Sequence, residues 1–346
     1  MVEISSSEVS ALEAEAMRRA LELAGAPEHP LGPNPRVGAV LLGATGEVLG
    51  EGAHQGAGSP HAEVVALARA ARRAQGATVV VTLEPCAHHG RTGPCTEALI
   101  DAGVRRVVYA MDDPSPQAGS GAVRLRSAGV EVVGGLLADE SHALNPGWLR
   151  ATRGRRPYLV WKVAASLDGR IAAADGSSRW ISCDESRHEV HLLRGVVEAI
   201  VTGTGTVHAD NPSLTARPTI GEPEGPQPRR IVMGVSDIPR DAKVLDDSAP
   251  TEHLRTRDVR AVVRRLHEDG VRYGLLECGP RLAASFVDAD LIDEIRWYVA
   301  PILLGSGVSV LTDIGVSTVT DARRFDVVDT SRVGSDVRIR LVAREN

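Results

Sequence analysis

At 346 residues and 36.6 kDa the chain has room for two domains, each with a core of its own. Its 43% hydrophobic and 24% charged residues match ordinary globular usage and exclude a disordered or fibrous protein. A net charge of −6 and only 3% aromatic residues argue against nucleic acid as the main partner. No apolar run approaches the roughly 20 residues of a membrane span, the acidic start MVEISSSEVSALEAEAM has no signal-peptide core, and four cysteines make no disulfide framework. A reducing cytoplasm and no membrane partner are the expectation.

In chain order, a helical stripe runs from Leu12 to Ala24 and ends at Gly25. Two strands, Val37 to Leu42 and from Glu47, flank the turn GATG. A helix is expected over His61 to Ala74, and the near-continuous apolar ATVVVTL (77–83) reads as a strand covered on both faces. A helix from Cys95, the strand VRRVVYA, a helix near Ala122 to Ala128 and the strand VEVVGG complete an α/β unit. The arginine-rich NPGWLRATRGRRP (145–157) reads as the boundary between domains over residues 1–152 and 153–346. Beyond it the alternation restarts with YLVWKVAA, a helix over 185–194, VEAIVTG, RRIVMGV, a helix over 259–268, VRYGLLEC, a helix over 282–288 and EIRWYVAP. ARPTIGEPEGPQPRR is a surface insert, and the final FDVVDTSRVGSDVRIRLVA predicts an antiparallel pair of edge strands about Gly-Ser.

The chemistry of the first half gathers in His61-Ala62-Glu63, Cys86 and Cys95. One imidazole and two thiolates at helix starts suit tetrahedral zinc with a fourth position left for water. Glu63, two residues past His61, can reach that water without being a ligand and move its proton. A structural zinc site would need a fourth ligand, which His88 or His89 could supply. The joint pattern H-A-E with P-C-x8-C is more specific, and it follows the zinc-deaminase signature except for the longer gap between cysteines.

That longer gap carries a resemblance. TLEPCAHHGRTGPC (82–95), GPNPRVGAV (32–40) and GEGAHQGAGSPHAE (50–63) closely resemble the deaminase half of the bifunctional riboflavin-biosynthesis deaminase-reductases. The resemblance implies a cytidine-deaminase-like three-layer α/β domain, with His61, Cys86 and Cys95 holding one zinc per chain and Glu63 as proton shuttle. It makes Asn34, His54, His88 and Arg91 substrate contacts, Asn34 at the pyrimidine edge. Gly93 stands where this family more often has proline.

Composition alone calls the second half only an α/β domain, and its Gly-rich turns TGTGT and ECGPRLA miss the spacing of a dinucleotide-binding fingerprint. KVAASLDGRIA (162–172), SRWIS (178–182), TGTGTVHADNPSLTAR (202–217) and LLECGPRLA (275–283) look like the family's reductase half, which has a dihydrofolate-reductase-like fold. The resemblance implies NADPH contacts at Ala164, Trp180, Thr206, Asp210 and the run Gly279, Pro280, Arg281, Leu282, Ala283, Ala284 and Ser285. It implies substrate contacts at Ser178, Arg194, Leu214, Arg217 and Glu277, with Lys162 as a catalytic cation orienting the sugar. Arg194 and Arg217 suit a phosphate because guanidinium forks bind oxyanions bidentately. After RRIVM the family commonly has Asp-Ser, the serine beside the cofactor's adenosine phosphate, where this chain runs Gly234-Val235-Ser236. The implied partner is a phosphoribosyl pyrimidine, with a homo-oligomer (dimer or tetramer) as the assembly. The alternatives are a zinc deaminase of another base or nucleotide with a C-terminal nucleotide-binding module, and a zinc-stabilised scaffold with vestigial sites.

Overall fold

The computed structural model describes residues 9–26, 29–88, 93–115, 120–217, 223 and 225–344. The chain divides into two compact units, Met1–Gly154 and Arg155–Asn346.

The first unit opens with α1 (Ala11–Gly25), started by a capping box between Ser10 and Glu13. Then follow β1 (Gly38–Leu42), β2 (Val48–Ala53), α2 (Ala62–Ala70), β3 (Thr78–Leu83), α3 (Cys95–Asp101), β4 (Arg106–Met111), α4 (Gly121–Ser127), β5 (Glu131–Gly134), α5 (Ala138–Leu144) and α6 (Pro146–Gly154). The sheet order is β2-β1-β3-β4-β5, antiparallel at β1 and parallel from β3 onward. Period-two alternation sorts its strands into two cores. Ala39, Leu41, Val79, Val81 and Val107 meet α2, α3 and α4, while Val40, Val80, Val108 and Ala110 meet α1. Helices therefore cover both faces, which gives the three layers and explains why β3 is buried at every residue. α2 stops four residues short of the expected end because Ala71 leaves the helical region at φ 52°, and a 3-10 turn spans Ala71–Ala74. The stretch read as a boundary forms α6, with Pro146 at a first-turn position where its missing N–H costs nothing.

The second unit runs β6 (Tyr158–Ser166), β7 (Arg170–Ala173), α7 (Asp184–Val196), β8 (Ala199–Gly203), α8 (Thr204–Asp210), β9 (Arg229–Met233), β10 (Thr251–Leu254), α9 (Val259–Glu268), β11 (Tyr273–Leu276), α10 (Pro280–Asp288), β12 (Glu294–Ala300), β13 (Gly307–Ser309), β14 (Phe325–Val333) and β15 (Asp336–Ala343). Its main sheet has the order β10-β9-β8-β11-β6-β12-β15-β14. The first six strands are parallel, and β15 and β14 add an antiparallel edge around the Gly334 turn, as the C-terminal pattern predicts. Leu159, Trp161, Val201 and Ile231 face α9 and α10, whereas Val160, Ile200 and Val232 face Leu193 of α7 and Val207 of α8. TGTGT is thus the end of β8 and the start of α8 rather than a loop.

Candidate functional sites

In the first unit, two junctions bring the zinc-ligand candidates together. His61 is the residue before α2, and Glu63 lies in that helix's first turn. Gly52 of β2 lets α2 lie against the sheet, since a Cβ there would sit 2.2 Å from the Ala62 carbonyl oxygen. Cys95 begins α3, whereas Cys86 lies in the loop after β3 and not at a helix start as expected. It nonetheless faces that start, because the Cys95 N–H donates to its sulfur at 3.4 Å. The loop is fixed by Glu84, whose carboxylate accepts the N–H of Ala122 at 2.8 Å and of Asp113 at 3.2 Å. Gly121 permits the close approach, as a Cβ there would strike the Pro85 carbonyl oxygen at 1.7 Å.

The three ligand atoms lie within 4.8 Å of one another. His61 Nδ1 is 3.1 Å from Cys95 Sγ and 3.6 Å from Cys86 Sγ. A zinc tetrahedron with ordinary Zn–N and Zn–S bonds has a nitrogen-to-sulfur edge of about 3.6 Å. The donor chemistry fits as well. A hydrogen bond from Cys95, with further help from His61, pulls the Cys86 thiol down, and the same sharing pushes the Cys95 thiol up. The protein alone accommodates one thiolate there, and a divalent cation accommodates both. Glu63 is 4% exposed, and burial, then the nearby Cys86 charge, raises its carboxyl above the usual range. That group can hold a proton and release it.

Asn34 and His54 stand beside this cluster. The buried His54 ring packs edge-on against His61 at 5.5 Å. Its Nδ1 lies 3.1 Å from the Pro60 carbonyl, an acceptor only, so the proton sits on Nδ1. Nε2 then accepts from Asn34 Nδ2 at 2.9 Å, which leaves Asn34 Oδ1 outside that bond. That bonding needs a neutral ring, and burial lowers the His54 pKa in the same direction. His88 is exposed beyond Cys86, and Arg91 and His89 lie outside the described residues.

In the second unit the named residues come from many elements. Arg194 of α7 donates from Nε and Nη2 to the Glu277 carboxylate at 2.6 and 2.9 Å, and from Nη1 to the Thr215 carbonyl at 3.1 Å. Arg194, expected at a phosphate, is thus paired here with a carboxylate and a carbonyl. A nearly buried carboxylate requires a counter-charge, and Arg194 supplies it. Arg217 differs: among the described residues its bond is from Nε to Thr215 Oγ1 at 3.1 Å, and its terminal nitrogens make no such bond. Lys162 is half-buried on β6; burial lowers its pKa against the opposing pull of Glu277. Leu214 is buried with φ 53°, a left-handed conformation that costs a non-glycine residue about 1–2 kcal/mol.

On the expected cofactor side, Thr206 Oγ1 accepts from the Gly279 N–H at 3.0 Å, which joins α8 to the residue before α10. Ser178 Oγ is 3.5 Å from Asp210 Oδ1, at the end of α8. Trp180 is 67% exposed with the Arg187 guanidinium 4.4 Å above its ring, so it is no core residue. Ala164 is half-buried on β6. The run 279–285 requires one refinement: Ala283 and Ala284 are buried in the core, and Ser285 Oγ bonds back to the Arg281 carbonyl at 3.1 Å. Pro280 has no N–H, so the first-turn N–H groups open to an anion are those of Arg281 and Leu282.

Comparison with known proteins bears on both units. The family model "Cytidine and deoxycytidylate deaminase zinc-binding region" matches residues 11–111, and "RibD C-terminal domain" matches residues 157–339. The riboflavin biosynthesis protein RibD of Mycobacterium tuberculosis is 47% identical over 332 residues, covering 95% of this chain and 97% of that protein. The chain belongs to the RibD family. The solved RibD of Acinetobacter baumannii superposes with a TM-score of 0.89 at 36% identity, covering 96% of this chain and 99% of that one. A Thermotoga maritima structure described as a diaminohydroxyphosphoribosylaminopyrimidine deaminase/5-amino-6-(5-phosphoribosylamino)uracil reductase follows at 0.87, with 31% identity and coverage of 96% and 99%. Like other RibD proteins, this one is a riboflavin-biosynthesis enzyme that carries a deaminase and a reductase in one chain, and its first unit contains the zinc-binding region.

Within the RibD frame, several supporting residues carry no motif of their own. Glu84, Thr215, His191 and Gln227 are of this kind, although each ties down a segment named above. Their signals are weak in sequence because Glu84, His191 and Gln227 bond to distant backbone, and Thr215 is held through its own carbonyl. No helix among the described residues is long and apolar enough to cross a membrane.

Proposed function

We propose that residues 1–152 remove an amino group hydrolytically from a diaminohydroxyphosphoribosylaminopyrimidine. Residues 153–346 then reduce the 5-amino-6-(5-phosphoribosylamino)uracil product with NADPH, converting its ribosyl group to a ribityl chain. The observation that carries this reading is the tripod of His61, Cys86 and Cys95 beside buried Glu63, in a unit matched to a deaminase zinc-binding region and followed by a RibD reductase unit.

One zinc per chain, held by His61 Nδ1 and the two sulfurs, supplies when bound the Lewis acidity that lowers the pKa of a water. The Glu63 carboxylate takes a proton from the attacking water and delivers it to the departing amine, which leaves as ammonia. Its burial supports this role, since the protonated form is favoured between the two transfers. Asn34 meets the pyrimidine edge with an amide that His54 holds in one orientation, and His88 and Arg91 complete the substrate contacts.

In the reductase unit NADPH supplies the hydride. Ala164, Trp180, Thr206, Asp210 and residues 279–285 hold the cofactor, the backbone of Arg281 and Leu282 facing a phosphate. Ser178, Leu214 and Arg217 hold the phosphoribosyl group, with the phosphate on Arg217, whose terminal nitrogens support that assignment. Arg194 fixes the Glu277 carboxylate where it can accept sugar hydroxyls, and the Lys162 ammonium orients the sugar at the reducing carbon. The enzyme works in the cytoplasm as a dimer or tetramer; four unpaired cysteines and exposed Val327 and Val328 on edge strand β14 support these two points.

The test is to incubate the protein with the diaminopyrimidine, with and without NADPH, and identify products by mass. The expected result is the deaminated phosphoribosyl compound alone without NADPH and the ribityl compound with it. Ammonia release from cytidine or guanine, and none from the phosphoribosyl pyrimidine, would overturn the reading.

A further inference from the structure

We infer that His191 is a positioning residue of the reductase site, holding the Thr215 carbonyl and with it the segment from Leu214 to Arg217 that receives the substrate. The inference rests on the reading above that Leu214 and Arg217 touch the phosphoribosyl group. His191 and Arg194 are three residues apart on α7 and so share a face. His191 Nδ1 and Arg194 Nη1 both lie 3.1 Å from the Thr215 carbonyl oxygen. A carbonyl only accepts, so His191 carries its proton on Nδ1, and the two donors fill both lone pairs of that oxygen.

The hold passes onward through the same residue. The Thr215 hydroxyl accepts from Arg217 Nε at 3.1 Å, so fixing Thr215 fixes the base of the Arg217 guanidinium. Two neighbours are held from other directions. The Gln227 amide accepts the Ala216 N–H at 2.8 Å and donates to the Ala216 carbonyl at 3.1 Å. The Arg230 guanidinium donates to the Ser213 carbonyl at 3.1 Å. Between these anchors Leu214 keeps its left-handed backbone, which a free loop would not hold.

Arg194 alone does not serve this purpose, because its other donors are bound to Glu277 and its position answers to that carboxylate first. His191 adds a donor without adding charge. Burial, then the neighbouring Arg194 charge, lowers its pKa to about 4, so a neutral imidazole sits among Arg194, Arg217 and the incoming phosphate. A lysine or arginine there would compete with Arg217 for the phosphate.

The experiment compares wild type, His191→Leu, His191→Asn and Gln227→Leu in steady-state reduction of the deaminated phosphoribosylaminouracil by NADPH. His191→Leu should raise KM for the pyrimidine about tenfold, leave kcat within about threefold, and leave KM for NADPH unchanged. An asparagine amide can place a donor near Nδ1, so His191→Asn should recover most of the loss. Gln227→Leu should shift the same KM in the same direction. An unchanged pyrimidine KM in His191→Leu overturns the inference, as does an equal rise in both KM values or an equal loss in His191→Leu and His191→Asn. If wild type itself does not reduce the pyrimidine, the functional reading fails before the role of His191 is reached.

Discussion

The two units share one construction, a mixed parallel and antiparallel sheet with helices on both faces, yet they distribute their chemistry differently. In the first, the zinc ligands and Glu63 fall between His61 and Cys95, at the starts of α2 and α3 and in the loop after β3. In the second, the proposed contacts run from Lys162 to Ser285 and come from β6, α7, α8, α10 and the loops between them. A metal demands particular donor atoms at fixed separations, so its site leaves a compact signature. Hydride transfer between two bound organic molecules demands position, and backbone groups, alanines and threonines can supply it. The contrast also predicts how each unit responds to damage: loss of one group should abolish the first chemistry and only weaken the second.

The largest effect tests the concentrated site. Glu63→Gln should lower deamination by about 10²–10⁴-fold, the usual worth of a general acid–base, while bound zinc and NADPH-dependent reduction stay at wild-type levels. Metal analysis and separate assays check it. Zinc lost from this variant, or deamination retained, removes Glu63 from the role of shuttle.

The distributed site should instead yield first in stability. Glu277→Ala leaves Arg194 nearly buried without its counter-charge, a loss of about 3–5 kcal/mol for the second unit. Burial alone would raise the Glu277 carboxyl, but the Arg194 charge and hydrogen bonds, with Lys162, hold it below its ordinary value of 4.5. A depressed folded pKa contributes stability above that value and loses it as pH falls through the folded one. Denaturant unfolding at several pH values, followed by tryptophan fluorescence, reads this directly, since Trp161, Trp180 and Trp297 lie in the second unit. Wild type should lose stability below about pH 4.5 more steeply than the variant does. Parallel pH curves would show that the pair contributes nothing.

The same contrast explains what could be read from the chain. The layered α/β class was legible because strand residues such as Val79, Val80 and Val81 are apolar on both faces, and the edge pair β14–β15 because Gly334 supplies a positive-φ turn. The zinc cluster was legible from donor types and spacing. α6 was not, since a short helix that carries Arg150 and Arg153 and buries only Gly147, Leu149 and Ala151 reads as a linker. The pairing of Arg194 with Glu277 was not legible, because residue type does not reveal a carboxylate approaching from another element. Sequence shows which charges exist; the fold decides which of them neutralise one another.

Arg217 sharpens that point. Arg194 and Arg217 look equivalent in the chain, yet among the described residues one is bound at three donors and the other at Nε only. Arg217→Ala should raise the pyrimidine KM of the reductase by about 10–100-fold, the worth of a hydrogen bond to a charged group, and leave ammonia release intact. An equal loss of both activities would mean that the two chemistries do not separate along the chain.

The smallest effect concerns cofactor choice, where the distributed site tolerates a change of type. Gly234 follows β9 with φ 138°, and its N–H and carbonyl are held by the Leu254 carbonyl and His253 Nε2 at 3.1 and 2.9 Å. A Cβ at Gly234 would meet Thr204 Oγ1 at 2.4 Å, which fixes glycine at this turn and puts Val235 directly after it, 49% exposed. If Val235 takes the place of the family's serine, the adenosine phosphate loses one charge-assisted hydrogen bond, worth about 1.5–3 kcal/mol. Arg255 stands close enough to compensate, its guanidinium donating to the Val235 carbonyl at 3.4 Å while paired with Asp237. A cation there, even shared with Asp237, attracts a phosphate without forming the serine's bond, so the expected outcome is a preference for NADPH by a narrower margin. Val235→Ser should raise the ratio of kcat/KM for NADPH over NADH by up to about tenfold, less than the full bond because Arg255 already supplies part of the attraction. An unchanged ratio would place the phosphate away from Val235 and move the specificity of this unit to another loop.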